Sequence, residues 1–477
     1  MQTHFPSGGD SAHGAGLVLA PFRGVRYDLS RVGELANVTS PPYDVIGPET
    51  LERLLADSPY NIVRLILPVR SVASGEPSAR DAGLIAAARL ADWMAVGALA
   101  ADDAPALYVY EQRGADWVQR GLIGLVGVGT GAVLPHEGVM PGPVTGRREL
   151  MKATRSNLEP ILLVYSGGGS ASRDRADDAA VDGRAGAGRT DWAYRADGTG
   201  GTEGAGAGGH GDAAGPASRL VDETADGQQP LAVAVTEDGV THRLWALTDP
   251  DAQAAIETDL AGRSALIADG HHRYAAYSEL RAEMRDGGAG DGPWDYGLAY
   301  LVDADAYPLR LGPIHRVLPR LAPAEAAGLA RKAFTVTPVA GDALERLAAA
   351  GVSGTAFLLA GRDGRWLLTD PDQERLACAM PPEASPRWRA LDASVMQELL
   401  FAGLWSIKDN DRDVLISHDA QEAIRMAVNS GGTAVICNPM PLTAVMEIAA
   451  HGEKVPRKST SFGPKPRTGL VLRSFDE

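Results

Sequence analysis

The sequence predicts a mixed α/β fold. Three observations carry that expectation. The chain has 477 residues, 45% apolar and 22% charged, a globular composition too long for one ordinary core. Short apolar runs alternate with amphipathic stretches over most of its length. One polar run, Asp269-Gly270-His271-His272-Arg273, sits between a strand pattern and a helix pattern.

The N-terminal region, residues 1–130, opens with a short strand at Leu17–Pro21. The paired prolines of Ser40-Pro41-Pro42-Tyr43-Asp44-Val45-Ile46 stiffen a loop. A helix is expected at Glu49–Ala56, a strand at Ile62–Leu67 and an amphipathic helix at Asp81–Ala95. Strands follow at Ala106–Gln112 and Gly121–Gly129.

A central region, residues 131–320, begins at Leu134-Pro135-His136-Glu137. Arg148–Arg155 favours helix, and Pro160–Tyr165 is a candidate buried strand. From Ser166 to Gln229 the chain is mostly Gly, Ala, Asp, Ser and Thr, which predicts a disordered insertion unable to offset its ordering entropy. Leu231–Val235 and His242–Leu247 suit a hairpin across Asp238-Gly239. Asp251–Leu260 and Tyr274–Arg285 read as helices, Ser264–Ala268 as a small strand, and Leu298–Asp303 and Tyr307–Leu311 as strands. The third region, residues 321–477, continues the alternation through Glu325–Phe334, Ala343–Ala350, Ala356–Leu359, Arg365–Thr369, Leu391–Leu404, Asp419–Asn429, Thr433–Cys437 and Thr443–His451. No fixed-period repeat interrupts it.

A formal net charge of -16 argues against nucleic acid or an anionic membrane surface as partner, since both need a basic face. Cys378 and Cys437 are the two cysteines, too few for a disulfide framework or a cysteine-based metal site. The first residues lack a secretory pattern and no apolar run reaches the length of a membrane span, so the cytoplasm is the expected location.

The chemistry concentrates in three places. At the Asp269–Arg273 turn, Gly270 permits a tight bend, and a strand-to-helix turn presents backbone N–H groups and a helix dipole to an anion. His271, His272 and Arg273 add charge-assisted donors for a phosphate. The plainer alternative makes Asp269 an N-cap followed by solvated side chains. His136 and Glu137 precede Arg147, Arg148 and Lys152; a carboxylate among cations suits a general base or a metal ligand, whereas the plainer alternative is a solvated helix face. Lys458-Ser459-Thr460-Ser461-Phe462-Gly463-Pro464-Lys465 carries lysines and hydroxyls on a proline-stiffened loop, fit either for an anion or for an exposed tail. Tyr43, Asp44, His315 and Arg316 follow proline turns and either reach a cleft or cap loops. No Walker loop, GxGxxG fingerprint or nucleophile elbow occurs in a strand-to-helix context.

Taken in order, the stretches 41–46, 61–68, 134–137, 157–165, 267–274, 315–316 and 458–465 resemble the family known as domain of unknown function 1015. The Asp-Gly-His-His-Arg element also resembles the phosphate-binding turn of the ParB/sulfiredoxin superfamily, in particular of its free serine kinases. The resemblance implies a ParB/sulfiredoxin-like phosphate-binding core with flanking α/β regions. It also implies phosphoryl transfer to a small hydroxylated metabolite, L-serine first among them, from ADP, ATP or pyrophosphate. In that reading Glu137 is the base, and Asp269 and His272 join it in catalysis. Gly270, His271, Arg273, His136, Arg147, Lys458, Ser459, Thr460 and Lys465 hold ligand or phosphate, and Asp269 is a candidate Mg²⁺ ligand. The sequence departs from the family pattern at Gly146, where an acidic residue usually stands, and at Ser461, where an aromatic often does. Two rival readings are a ParB-like nucleotide-binding switch without kinase activity and a scaffold that has lost catalysis.

Overall fold

Side chains of Ile161–Tyr165 are apolar without alternation, and all five are buried, the pattern of a strand covered on both faces. Each such side chain contributes roughly 1.5–3 kcal/mol by leaving water. In a computed structural model, which describes residues 16–68, 78–168, 215–408 and 413–476, this strand lies within a nine-stranded mixed sheet. The order runs Val133–Leu134, Ala265–Asp269, Ile161–Tyr165, Tyr296–Asp303, Val118–Gly127, Leu107–Arg113, Thr241–Leu247, Ala232–Val235, with Leu19–Ala20 also pairing to Val118–Gly127. The sheet thus draws strands from either side of residue 130. The last two strands of that order form the hairpin expected across Asp238-Gly239.

Direction of pairing decides what meets at one sheet edge. Val133–Leu134 runs parallel to Ala265–Asp269, so both release their C-terminal ends on the same side. Ile161–Tyr165 is antiparallel to Ala265–Asp269 and so brings its N-terminal end, Glu159-Pro160, to that side. Residues 135–140, 159–160 and 269–272 therefore share one edge.

Residues 315–437 supply a second, six-stranded antiparallel sheet: Thr335–Pro338, Gly364–Thr369, Phe357–Gly361, Thr433–Cys437, His315–Leu318, Leu415–Ser417. The C-terminal segment then returns to the first body. Ser461–Gly463 pairs with Arg310–Gly312. Leu472–Ser474 joins a four-stranded sheet between Gly24–Tyr27 and Ser156–Asn157, with Leu99–Ala101 outermost.

Two expectations are corrected. Ile62–Leu67 is not a strand: Val63–Ile66 is a helical turn. Asn61 is the cause, because its Oδ1 accepts from Val63 N (3.0 Å) while its Nδ2 donates to Asn37 O (2.8 Å), fixing a turn. The apolar residues Ile62, Val63, Leu65 and Ile66 give the segment the local pattern of a strand, yet they are buried by tertiary contacts on a helical turn. The disordered insertion is also too long at its C-terminal end. Pro216–Gly227 is a helix that buries Ala217, Ser218, Val221 and Thr224, and Ser218 Oγ donates to Asp303 at 2.6 Å. Its small residues looked unable to build a core, but they need only complete one. At its N-terminal end Ser166 Oγ donates to Asp305 at 2.6 Å and Gly167 N to Asp303 at 2.9 Å, and residues 169–214 of the stretch lie outside the described residues. Among the described residues, no helix is long and apolar enough to cross a membrane.

Candidate functional site

The Ala265–Asp269 strand ends and the His271–Asp286 helix begins with one residue between them. That residue is Gly270, at φ 97°, a left-handed conformation; a Cβ there would lie 2.9 Å from Ile161. Glycine meets both demands. Gly270, not Asp269, occupies the N-cap position, and no side chain caps the helix. The first-turn N–H groups keep their attraction for an anion.

Asp269 is committed elsewhere. Its Oδ2 accepts from Arg273 Nη2 at 2.5 Å and its Oδ1 from Lys465 Nζ at 2.6 Å. Arg273 lies beneath the turn, 4% exposed, and also donates to Pro160 O. Burial works against its charge, but Asp269, Glu159 and Asp44 outweigh it and raise its pKa. Lys465 bridges onward to Asp44 Oδ2 at 2.8 Å. Burial opposes the Asp44 charge too, yet Lys465 and Arg273 hold its carboxyl below the usual range.

The two histidines of the turn act on the loop that carries Glu137. His271 Nε2 accepts from His136 N at 3.4 Å and His272 Nε2 accepts from Met140 N at 3.1 Å. A ring nitrogen that accepts from an N–H is unprotonated, so each neutral ring carries its proton on Nδ1. Burial lowers the pKa of both histidines, in keeping with neutral rings. His271 Nδ1 stands 4.0 Å from Glu137 Oε2, and Lys458 N donates to Glu137 Oε1 at 3.2 Å. Burial raises the pKa of Glu137, partly offset by Lys458. Its side chain nonetheless keeps 24% exposure, so the carboxylate has lone pairs left for a ligand.

The 458–465 loop closes the far side. His136 Nε2 lies 3.0 Å from Thr460 Oγ1 and its ring packs against Phe462; burial pushes His136 down to about 4. Val455 N donates to His136 O at 2.9 Å. Ser459 Oγ turns inward to Pro456 O.

Glu137, His136, Asp269, Gly270, His271, His272, Lys458, Thr460 and Lys465 are therefore brought together, with Asp44 joined through Lys465. Arg147 and Tyr43 stand behind the turn. Arg147 lies 4.2 Å from the Tyr43 ring centroid and donates to Ile66 O at 2.9 Å. His315 and Arg316 belong to the second sheet, where His315 Nδ1 accepts from Cys437 N and Arg316 Nη2 donates to Arg457 O at 3.0 Å, bracing the loop just before Lys458.

Sequence reasoning did not single out Glu159. It is 5% exposed and accepts from Tyr43 N (3.2 Å), Arg147 Nη1 (3.4 Å) and Thr468 Oγ1 (3.4 Å), tying four segments together. A carboxylate immediately before Pro160 and a fully apolar strand was the available signal, since a charge at that place needs partners.

The donor set does not fit Mg²⁺ at Asp269, because both of its oxygens are occupied by cations. Among the described residues, no group of three or more His, Cys, Asp or Glu side chains is placed to hold a metal ion.

Comparison with known proteins gives a match to the family described as "Protein of unknown function (DUF1015)" over residues 19–184 and 210–394. No curated protein matches the sequence. Among solved structures, a free serine kinase in complex with AMP aligns at 13% identity and TM-score 0.30, over 70% of this chain and 84% of its own. SbnI with a C-terminal truncation, from Staphylococcus aureus, aligns at 12% identity and TM-score 0.33, over 74% and 87%. A conserved hypothetical protein from Pyrococcus furiosus aligns at 11% identity and TM-score 0.31, over 72% and 92%.

Proposed function

The chain belongs to the DUF1015 family, and from that premise we propose that it is a phosphotransferase acting on a small hydroxylated metabolite, with free L-serine as the first candidate. One observation supports this reading above the rest: a partly exposed carboxylate, Glu137, is held 4.0 Å from a histidine that opens an uncapped helix N-terminus. A base and an anion cradle thus stand side by side, which is the minimum that phosphoryl transfer to a hydroxyl requires.

The donor's phosphates lie against the N–H groups at Gly270–His272, with Lys458 beside them. The acceptor hydroxyl gives its proton to Glu137 as its oxygen bonds to the transferred phosphorus. The bond from that phosphorus to the leaving phosphate oxygen breaks, and the leaving group carries away the electron pair. His271 and His272 hold the 135–140 loop through their Nε2 atoms and offer Nδ1–H to developing charge. Arg273 acts as a positioning residue that fixes Asp269. Asp269 in turn orients Lys465.

The test is to incubate the full chain with L-serine and ADP, ATP or pyrophosphate, each alone, and to look for O-phosphoserine. Tight nucleotide binding with no phosphorylated hydroxyl compound, and no effect of Glu137→Gln, would favour the nucleotide-dependent switch instead.

A further inference from the structure

A cavity of about 300 Å³ opens beside the candidate site and shares Lys465 with it. Its walls include Pro41 and Pro42, Trp117, His242 and Asp238. The volume is at the low end of the roughly 300–1,000 Å³ of small-molecule pockets, far more than an amino acid acceptor or pyrophosphate needs.

One wall has its protons fixed. Arg467 N donates to Tyr110 Oη at 3.2 Å, so the Tyr110 proton is directed to His242 Nδ1, 2.8 Å away. His242, pushed down to about 4 by burial, is neutral, and its remaining proton must sit on Nε2, 3.3 Å from Thr236 Oγ1. The Thr236 hydroxyl in turn donates to Asp238. This chain ends in a carboxylate on the cavity wall, an acceptor for hydroxyl or amino donors. Trp117 lines the cavity with its indole, and Arg310 stands over that ring, 5.5 Å from its centroid. Lys465 stands at the junction, 2.6 Å from Asp269 and 2.8 Å from Asp44.

A flat surface, a hydroxyl acceptor and a cation leading to an anion cradle match the base, sugar and phosphates of a nucleotide in that order. We propose that this cavity takes the nucleoside half of a nucleoside di- or triphosphate, whose phosphates pass Lys465 to reach the Gly270 turn. The inference rests on the phosphotransferase reading for the place of the phosphates, and narrows its donor to a nucleotide rather than pyrophosphate. Base stacking on an aromatic ring tolerates different bases, so the chemistry recognised is that of a nucleoside rather than of adenine alone.

Calorimetry on the full chain with ADP and with pyrophosphate tests it. ADP should bind at least tenfold more tightly. Trp117→Ala should erase most of that preference and leave pyrophosphate affinity unchanged. Val45→Trp, at a cavity-lining position 52% exposed where folding tolerates a larger side chain, should do the same by filling the mouth. Equal affinity for ADP and pyrophosphate, or ADP affinity untouched by both substitutions, overturns the proposal. Failure of the phosphotransferase reading is separate: no donor yields a phosphorylated hydroxyl compound, whatever the binding data show.

Discussion

Lys465 Nζ lies 2.6 Å from Asp269 Oδ1 and 2.8 Å from Asp44 Oδ2, so one ammonium joins the C-terminal loop, the central turn and the N-terminal loop. Burial works against its charge, and the two carboxylates more than restore it, raising its pKa. Lys465→Met should remove the cation that joins Asp44 to Asp269 and leave Asp269 with Arg273 alone. Ligand affinity should fall at least tenfold as the three loops lose their common tie. Unchanged affinity would reduce Lys465 to a structural contact. Truncation before Lys458 is a poorer probe, because it also removes the buried Leu470, Val471 and Leu472.

Glu137→Gln should separate binding from chemistry. The amide keeps the size of the side chain but cannot take a proton, so turnover should fall about 10²–10⁴-fold while donor affinity by calorimetry stays within a few-fold. The base works only when deprotonated, and burial raises its pKa. The acid limb of the rate profile should therefore lie above the ordinary carboxylate range and vanish in the variant. An acid limb that survives in Glu137→Gln assigns the base elsewhere.

Arg273→Ala should act first on stability. It strips the partner from Asp269 Oδ2 and from Pro160 O in a buried place, and breaking a buried pair typically costs about 3–5 kcal/mol. Denaturant unfolding should show that loss. Weakened ligand binding with unaltered stability would instead mean that Arg273 touches the ligand.

Three histidines, His136, His242 and His315, are each pushed to about 4 by burial. Their folded pKa values lie below the unfolded value of 6.5. The unfolded chain therefore takes protons that the folded chain refuses, and stability is full above pH 6.5 and lost as pH falls toward 4. Each can contribute up to about 3 kcal/mol. His315→Gln, away from the candidate site, should flatten the stability profile in that window by about one proton. An identical slope would show that His315 is not buried neutral.

The helix Pro216–Gly227 should be needed, and the stretch 169–214 before it should not. A Cβ on Gly215 would lie 2.8 Å from Gly167 O, so the two ends already meet and a short link can join them. Deleting 169–214 should move Tm little, whereas deleting 216–227 as well exposes the partners of Val221 and Ser218 and should lower it sharply. Equal effects of the two deletions would refute this division.

The sequence by itself determined the α/β alternation, because the periods of apolar residues are local properties of the chain. It also determined the Asp-Gly-His-His-Arg turn, because a glycine between a strand and a helix leaves few backbone choices. The Leu134–Glu137 and Lys458–Lys465 segments were legible as polar candidates in the same way. Only the tertiary structure decided what those residues do to one another. Parallel pairing of Val133–Leu134 with Ala265–Asp269 set Glu137 beside His271, and the returning C-terminal strand set Lys465 on Asp269. The Asn61 side chain, bonded to Asn37 O and Val63 N, likewise made Val63–Ile66 a helical turn where a strand is expected, and long-range packing made Arg273 a buried anchor and Glu159 a four-way tie. Such roles depend on burial and on partners remote in the chain, and neither is written in the neighbouring residues.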